Sequence, residues 1–306
     1  MRARIAIPAL AGTMAAGLFS LTTTAGAADL SIPAPAPVEA VAPAQLMPNE
    51  AFFGGLGLGL GFLSVTDQSL YAQGVSHMYE GGVPYAYGAA GGTTYPPSGS
   101  DTTLSGFAQL GYYHQFQGTD WLWGAKLSYA YLGASSAADN VAVPQNGRYY
   151  GTTDGTVSGH VVVGSYETEL NQQFALMPFI GRSFGRGYIY GGGGPSLSQT
   201  TTNLNNMVGL ARMSGKTYDM TGPSDDFSSS DWVWGASLTL GGTYFLTRDW
   251  FIDASYAVNF TEGASGDFSS PFVRNAYGWQ ETGILSGNFS NTITTQTLSI
   301  SINRAF

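Results

Sequence analysis

The chain is 306 residues long, with 20 acidic against 11 basic residues, a formal charge of -9 and no cysteine. The acidic balance excludes nucleic acid as a partner, since phosphate would be repelled, and the lack of cysteine excludes disulfides and thiolate metal sites. Charged residues reach only 10%, and the 43 glycines are about twice the usual share of ~7%, while 43% hydrophobic and 13% aromatic content is too high for a disordered glycine-rich chain. Such a composition suits a protein whose outer surface meets lipid.

The first residues, Met1-Arg2-Ala3-Arg4, are followed by an apolar run from Ile5 to Leu21 and a small-residue exit, Ala25-Gly26-Ala27-Ala28. A positive start, a short apolar core and this exit predict a secretory signal peptide over 1–27. Pro8, Gly12 and Gly17 interrupt the run, and no other stretch reaches the ~18 apolar residues of a spanning helix. Removing the signal leaves 9 basic and 20 acidic residues, a charge of -11. Residues 28–49 are rich in Pro and Ala and predict an extended periplasmic tether. The remainder, 50–306, carries the strands.

A strand over about 51–65 sets Phe52, Leu56, Leu58, Leu60 and Phe62 on one face and Gly55, Gly57, Gly59 and Gly61 on the other. Its G-x-G series is not a nucleotide fingerprint, because no helix pattern follows. The second strand, about 103–116, puts Leu104, Ala108, Leu110 and Tyr112 outward and Gln109 inward. The third, about 121–134, alternates Trp121, Trp123, Ala125, Leu127, Tyr129 and Tyr131 with Gly124, Lys126 and Ser128. In the fourth, about 170–184, Pro178 suggests a bulge. In the fifth, about 188–199, Gly191 to Gly194 leave the register poorly fixed. A short helix is a weak expectation for 203–215 in the loop that follows. The sixth strand, about 232–246, and the seventh, about 250–260, alternate cleanly, with Asp253 and Asn259 inward. The last, about 292–306, sets Leu298, Ile300, Ile302 and Phe306 against Thr295, Thr297, Ser299, Ser301 and Asn303.

Connections after the even strands are a few residues long, and those after the odd strands run to about 30 or more. Outer-membrane barrels have this asymmetry, with an even strand number. The pattern predicts an all-β fold: a closed antiparallel transmembrane β-barrel of eight strands with four long external loops and short periplasmic turns. A soluble β-sandwich is the competing reading, but it needs no apolar band on every strand. Phe52, Phe116, Trp121, Phe184, Tyr188, Phe245 and Trp250 lie at the short-turn end and predict a periplasmic aromatic girdle. Eight strands leave a lumen nearly filled by side chains. Its candidates are Lys126, Asp253, Gln109 and Asn259, with Phe53 and Phe107, and Lys126 and Asp253 are a candidate ion pair.

The chain resembles the small OmpA-like and Opa-like porin-family outer-membrane barrels. The resemblance rests on the AGA-ADL exit, FFGGLGLGLG from Phe52, FALMPFIGRSFGRGYIYGGGG from Phe174, WGASLTLGGTYFLTRDWFIDASYA from Trp234 and the terminal LSISINRAF. It implies a Gram-negative outer-membrane location, and it implies that Leu298, Ile300, Ile302 and Phe306 form the signal for insertion by the outer-membrane assembly machinery. Outer-membrane lipid and lipopolysaccharide are then the expected surroundings.

No catalytic or cofactor pattern emerges, and the chain is expected not to be an enzyme. His77, His114 and His160 are separated and none has Ser two positions on, which leaves a lipid-modifying triad as a minor alternative. Asp225-Asp226 and Glu167-x-Glu169 are lone acid pairs, not metal clusters. The expected function is a structural or narrow-pore barrel that supports envelope integrity and passes small solutes. The alternative is a surface adhesin or receptor, in which Tyr71, Tyr79, Tyr85, Tyr87 and Tyr95, set among Gly and Ser, engage an external partner.

Overall fold

The computed structural model describes residues 46–306 except 153, 214, 215, 220, 221 and 277. The signal peptide and most of the tether lie outside the described residues. Among the described residues eleven strands form a single sheet: β1 (Glu50–Glu80), β2 (Val83–Thr94), β3 (Gly99–Gln115), β4 (Trp121–Gly151), β5 (Gly155–Ser183), β6 (Gly187–Met213), β7 (Lys216–Asp219), β8 (Asp225–Phe245), β9 (Trp250–Thr261), β10 (Ala264–Ala276) and β11 (Trp279–Ala305).

Eight of these make a ring. β1 pairs with β3, β3 with β4, β4 with β5, β5 with β6, β6 with β8, β8 with β9 and β9 with β11, all antiparallel. The circle is completed by β11 against β1, running from Phe53↔Ala305 to Thr66↔Thr292 before a bulge. Phe306 N donates to Phe52 O at 2.8 Å and extends that seam to the short-turn end. Glycine makes the seam possible. A Cβ on Gly57 would lie 2.1 Å from Ile300 O and 2.7 Å from Ser301 Cα. Gly185, at φ 84° in the β5–β6 turn, takes a left-handed conformation that other residues adopt only with strain.

The long connections are not irregular loops. β1, β4, β5, β6 and β11 run on past the ring, to as many as 31 residues, and β2, β7 and β10 are added strands that pair with β1, β6 and β11. Their inward rungs pack an apolar cluster that includes Val141, Val143, Val161, Val163 and Leu285, but Ser, Thr and Gly fill the rungs between, so period two does not stand out from turn composition. Residues 203–213 belong to β6 and are extended, not helical. Pairing with β5 on one side and with β8 and then β7 on the other supplies backbone partners that a short helix would otherwise make internally. Above the ring β10 pairs only with β11, and its other margin faces β8 through Ser270 Oγ to Asp225 Oδ2 at 2.8 Å. This unladdered margin lies wholly beyond the closed section.

Two local expectations change. Pro178 makes no bulge. It pairs in register with Ala125, and the β5–β6 ladder is interrupted between Ala175↔Ser196 and Phe179↔Gly192 without a change of offset. The missing N–H removes rungs, and Gly192 and Gly194 opposite let the chains pass closely: a Cβ on either would meet backbone oxygens of Pro178 or Leu176. The glycine run of β6 is also in definite register, Gly191↔Leu240 through Gly194↔Ser237, because β8 binds β6 continuously from Gly187 to Leu204.

Candidate functional site in the barrel lumen

The interior of the ring is built in layers. At the short-turn end the inward residues are aromatic. Phe53 sits edge-on to Phe251 at 5.5 Å, Phe251 stacks on Phe245 at 4.8 Å, and Tyr113 meets Tyr188 at 5.2 Å. Tyr188 (1% exposed) and Phe245 (0%) therefore leave the expected girdle and point inward. Strand alternation, not nearness to a turn, decides this: Ile189 and Tyr244, the neighbours in sequence, face out. Phe52, Phe116, Trp121, Phe184 and Trp250 are exposed on the wall. The end of the proposed tether also departs from an extended spacer. Met47 is 3% exposed, Leu46 packs on the same aromatic layer, and Tyr113 OH donates to Pro48 O at 3.2 Å. Burial of two apolar side chains in the barrel mouth outweighs the hydration of four residues of chain.

Above the aromatics lies a buried polar network. Lys126 from β4 donates to Tyr190 OH at 2.7 Å and stands 3.7 Å from Asp253 Oδ2 of β9. Tyr190 OH in turn donates to Asp253 Oδ1 at 2.9 Å. Gln109 Nε2 donates to the same carboxylate at 3.0 Å and to Asn303 Oδ1 at 2.7 Å. Lys126 and Asp253 are 2% and 3% exposed. Bare burial of either charge would be costly, so the phenol and the amide complete a shell around the pair. Asn259 is not part of it. It belongs to a second network one layer on, donating to Gln173 Oε1 at 2.9 Å while Gln173 Nε2 reaches Ser198 Oγ and Thr295 Oγ1. Between the networks a cavity of about 30 Å³ remains, room for a water or two. Leu63, Leu132, Leu170 and Ile293 close the next level.

Sequence reading overlooked Tyr190 and Asn303 as members of the charged network. Asn303 was legible as an inward residue by alternation. Tyr190 was hidden by the glycines after it, which blur the period on which inward and outward depend.

Elsewhere titratable residues make local contacts at the short-turn rim and beyond the ring. His114 Nδ1 is 2.9 Å from Glu50 at the short-turn rim, and His77 stacks on Tyr87 beyond the ring. Glu169 accepts from Asn171 and Asn203, and Asp226 accepts from Asn206 N. Among the described residues no three His, Asp or Glu side chains converge as metal ligands.

The outer wall is the reverse of the lumen. Leu56, Leu58 and Leu60, Leu104 and Leu110, Leu176 and Ile180, Leu238 and Leu240, and Leu298, Ile300 and Ile302 all stand exposed. A continuous apolar belt around a closed ring cannot face water, whereas a ring without edges satisfies every backbone group in hydrocarbon. The protein is an outer-membrane β-barrel. The short turns are accordingly periplasmic and the long hairpins external.

Similar barrels are found among solved structures. An alignment with OprG of Pseudomonas aeruginosa spans 86% of this chain and 99% of that protein, at 17% identity and a TM-score of 0.33. Ail, the attachment invasion locus protein of Yersinia pestis, aligns over 78% of this chain and 98% of its own at 12% identity and a TM-score of 0.24. The outer-membrane protease OmpT of Escherichia coli aligns over 84% and 97% at 11% identity and a TM-score of 0.26. No family model and no curated protein matches the sequence. These likenesses concern the barrel alone, and the assignment above rests on the chain's own ladder and surface. A protease among them corrects the expectation that the chain is not an enzyme. A fold does not by itself decide function, and the lack of a pattern along the sequence is no evidence against a site assembled in space.

Proposed function

We propose that the protein is a structural barrel of the outer membrane whose lumen is shut to solutes. The observation that carries this is the stack of occluding layers: the aromatic mouth, the Lys126–Tyr190–Asp253–Gln109 network and the Leu63–Ile293 level. A hydrated ion needs a continuous watery path, and about 30 Å³ between two such layers does not supply one. In planar bilayers at neutral pH the purified full chain should give no discrete current steps. Regular ohmic steps from the unaltered protein would sink this reading and restore the narrow pore. The same reading takes lipid and lipopolysaccharide as the surroundings of the belt. The exposed side chains of Leu298, Ile300, Ile302 and Phe306 support their role as the face read by the assembly machinery.

A second reading, a surface binding protein, is favoured by the external tip. Tyr85 meets Trp279 edge-on at 4.5 Å, and Tyr87 stacks on Tyr150 at 5.4 Å; all but Trp279 are largely exposed. Rigid tyrosines among glycines offer contact area at little entropic cost. Cells carrying the protein with residues 79–87 replaced by a tight turn should lose whatever adherence the intact protein confers, at an unchanged surface level. Undiminished adherence would remove this reading.

A further inference from the structure

The external extension holds a half-open cavity of about 80 Å³, separate from the lumen networks. Gly74 of β1, Val161 of β5, Phe272 of β10 and Leu285 of β11 line it. Its volume is several times what one water needs, and its walls are mostly apolar or small. One acid enters it. Glu281 of β11 is 6% exposed, opposite Met78 on one side and Arg274 on the other. Its Oε1 is buried and accepts no hydrogen bond from the described residues. Burial pushes the Glu281 carboxyl up to about 7, with Ser76 and Arg274 pulling it down and Asp219 adding to the rise.

Ser76 hydrogen-bonds the Glu281 carboxyl, yet Oε1 is left without a donor, and a buried acceptor so left is destabilising. A ligand that brings an N–H donor removes that penalty, and an ammonium does so with charge assistance. The apolar walls call for an apolar body on the same molecule. We propose that this cavity binds a small organic monocation, its apolar part against Val161, Phe272 and Leu285 and its ammonium donating to Glu281. The site is independent of whether the barrel conducts.

Benzylamine and its uncharged counterpart benzyl alcohol test this by calorimetric titration of the full chain in lipid nanodiscs, with empty discs subtracted. Benzylamine should bind about tenfold tighter than benzyl alcohol or better, the factor expected of a hydrogen bond to a charged group. Glu281→Gln should erase that preference and leave the alcohol unchanged. A Cβ on Gly74 meets nothing within 4 Å, so Gly74→Leu should fill the void and weaken both probes. Failure of the unaltered protein to saturate with benzylamine overturns the proposal, as does equal affinity for the two probes or a preference that survives Glu281→Gln. Should Gly74→Leu not fold, the near-isosteric Gln variant alone decides.

Discussion

Replacing Asp253 with leucine should destabilise the barrel by about 3–5 kcal/mol, the range for removing one partner of a buried ion pair. Lys126 would be left buried without its counter-charge, with the Tyr190 phenol as its hydrogen-bond partner, and Gln109 would lose one of its acceptors. The pair itself need not be stabilising relative to an apolar layer, since desolvating two ions offsets their attraction. The double variant Lys126→Met with Asp253→Leu should therefore recover most of the loss. Urea unfolding of the protein in lipid vesicles, followed by tryptophan emission, gives both values. A single-variant cost below about 1 kcal/mol, in the range of exposed pairs, would show that the network is solvated in practice. A double variant no better than the single one would show that Asp253 matters for packing instead.

Gly57→Val should prevent closure of the ring. The added Cβ would meet Ile300 O at 2.1 Å and Ser301 Cα at 2.7 Å, and both belong to the backbone of β11. A side chain in the way can change rotamer. A backbone in a ladder can move only by breaking the ladder, and here that ladder is the last seam of the barrel. Gly106, outward on β3, is the control, because a Cβ there meets nothing within 4 Å. Gly106→Ala should be neutral to within about 0.5 kcal/mol. Folded barrels resist dissociation in unheated detergent gels, so the compact band reports closure directly. It should be lost in Gly57→Val and kept in Gly106→Ala. A compact Gly57→Val band at the level of the unaltered protein would mean that β1 and β11 can separate without opening the wall.

The ring was largely legible because lipid imposes a strict rule. A strand between hydrocarbon and a filled lumen must alternate on every rung, and Trp121 to Tyr131, Trp250 to Phe260 and Leu298 to Phe306 do so. The external half obeys no such rule. Water solvates the outer face, so Ser, Thr and Gly are acceptable on its rungs, and the upper parts of β4 and β5 read like loop although Val141, Val143, Val161 and Val163 pack inward. The misplacement of Tyr188 and Phe245 has a different cause. Closeness to a turn says where along the axis a ring sits, and only its parity in the ladder says on which side of the wall.

What the sequence determined by itself was the kind of solvent on each side of the wall, the number of strands that cross and the ends joined by short turns. Those follow from local period and spacing. Tertiary structure alone decided which inward residues meet. Lys126, Tyr190 and Asp253 come from three strands, and whether they touch depends on the stagger between strands around the whole circle. That stagger is a property of the closed ring and is written in no single stretch of the chain.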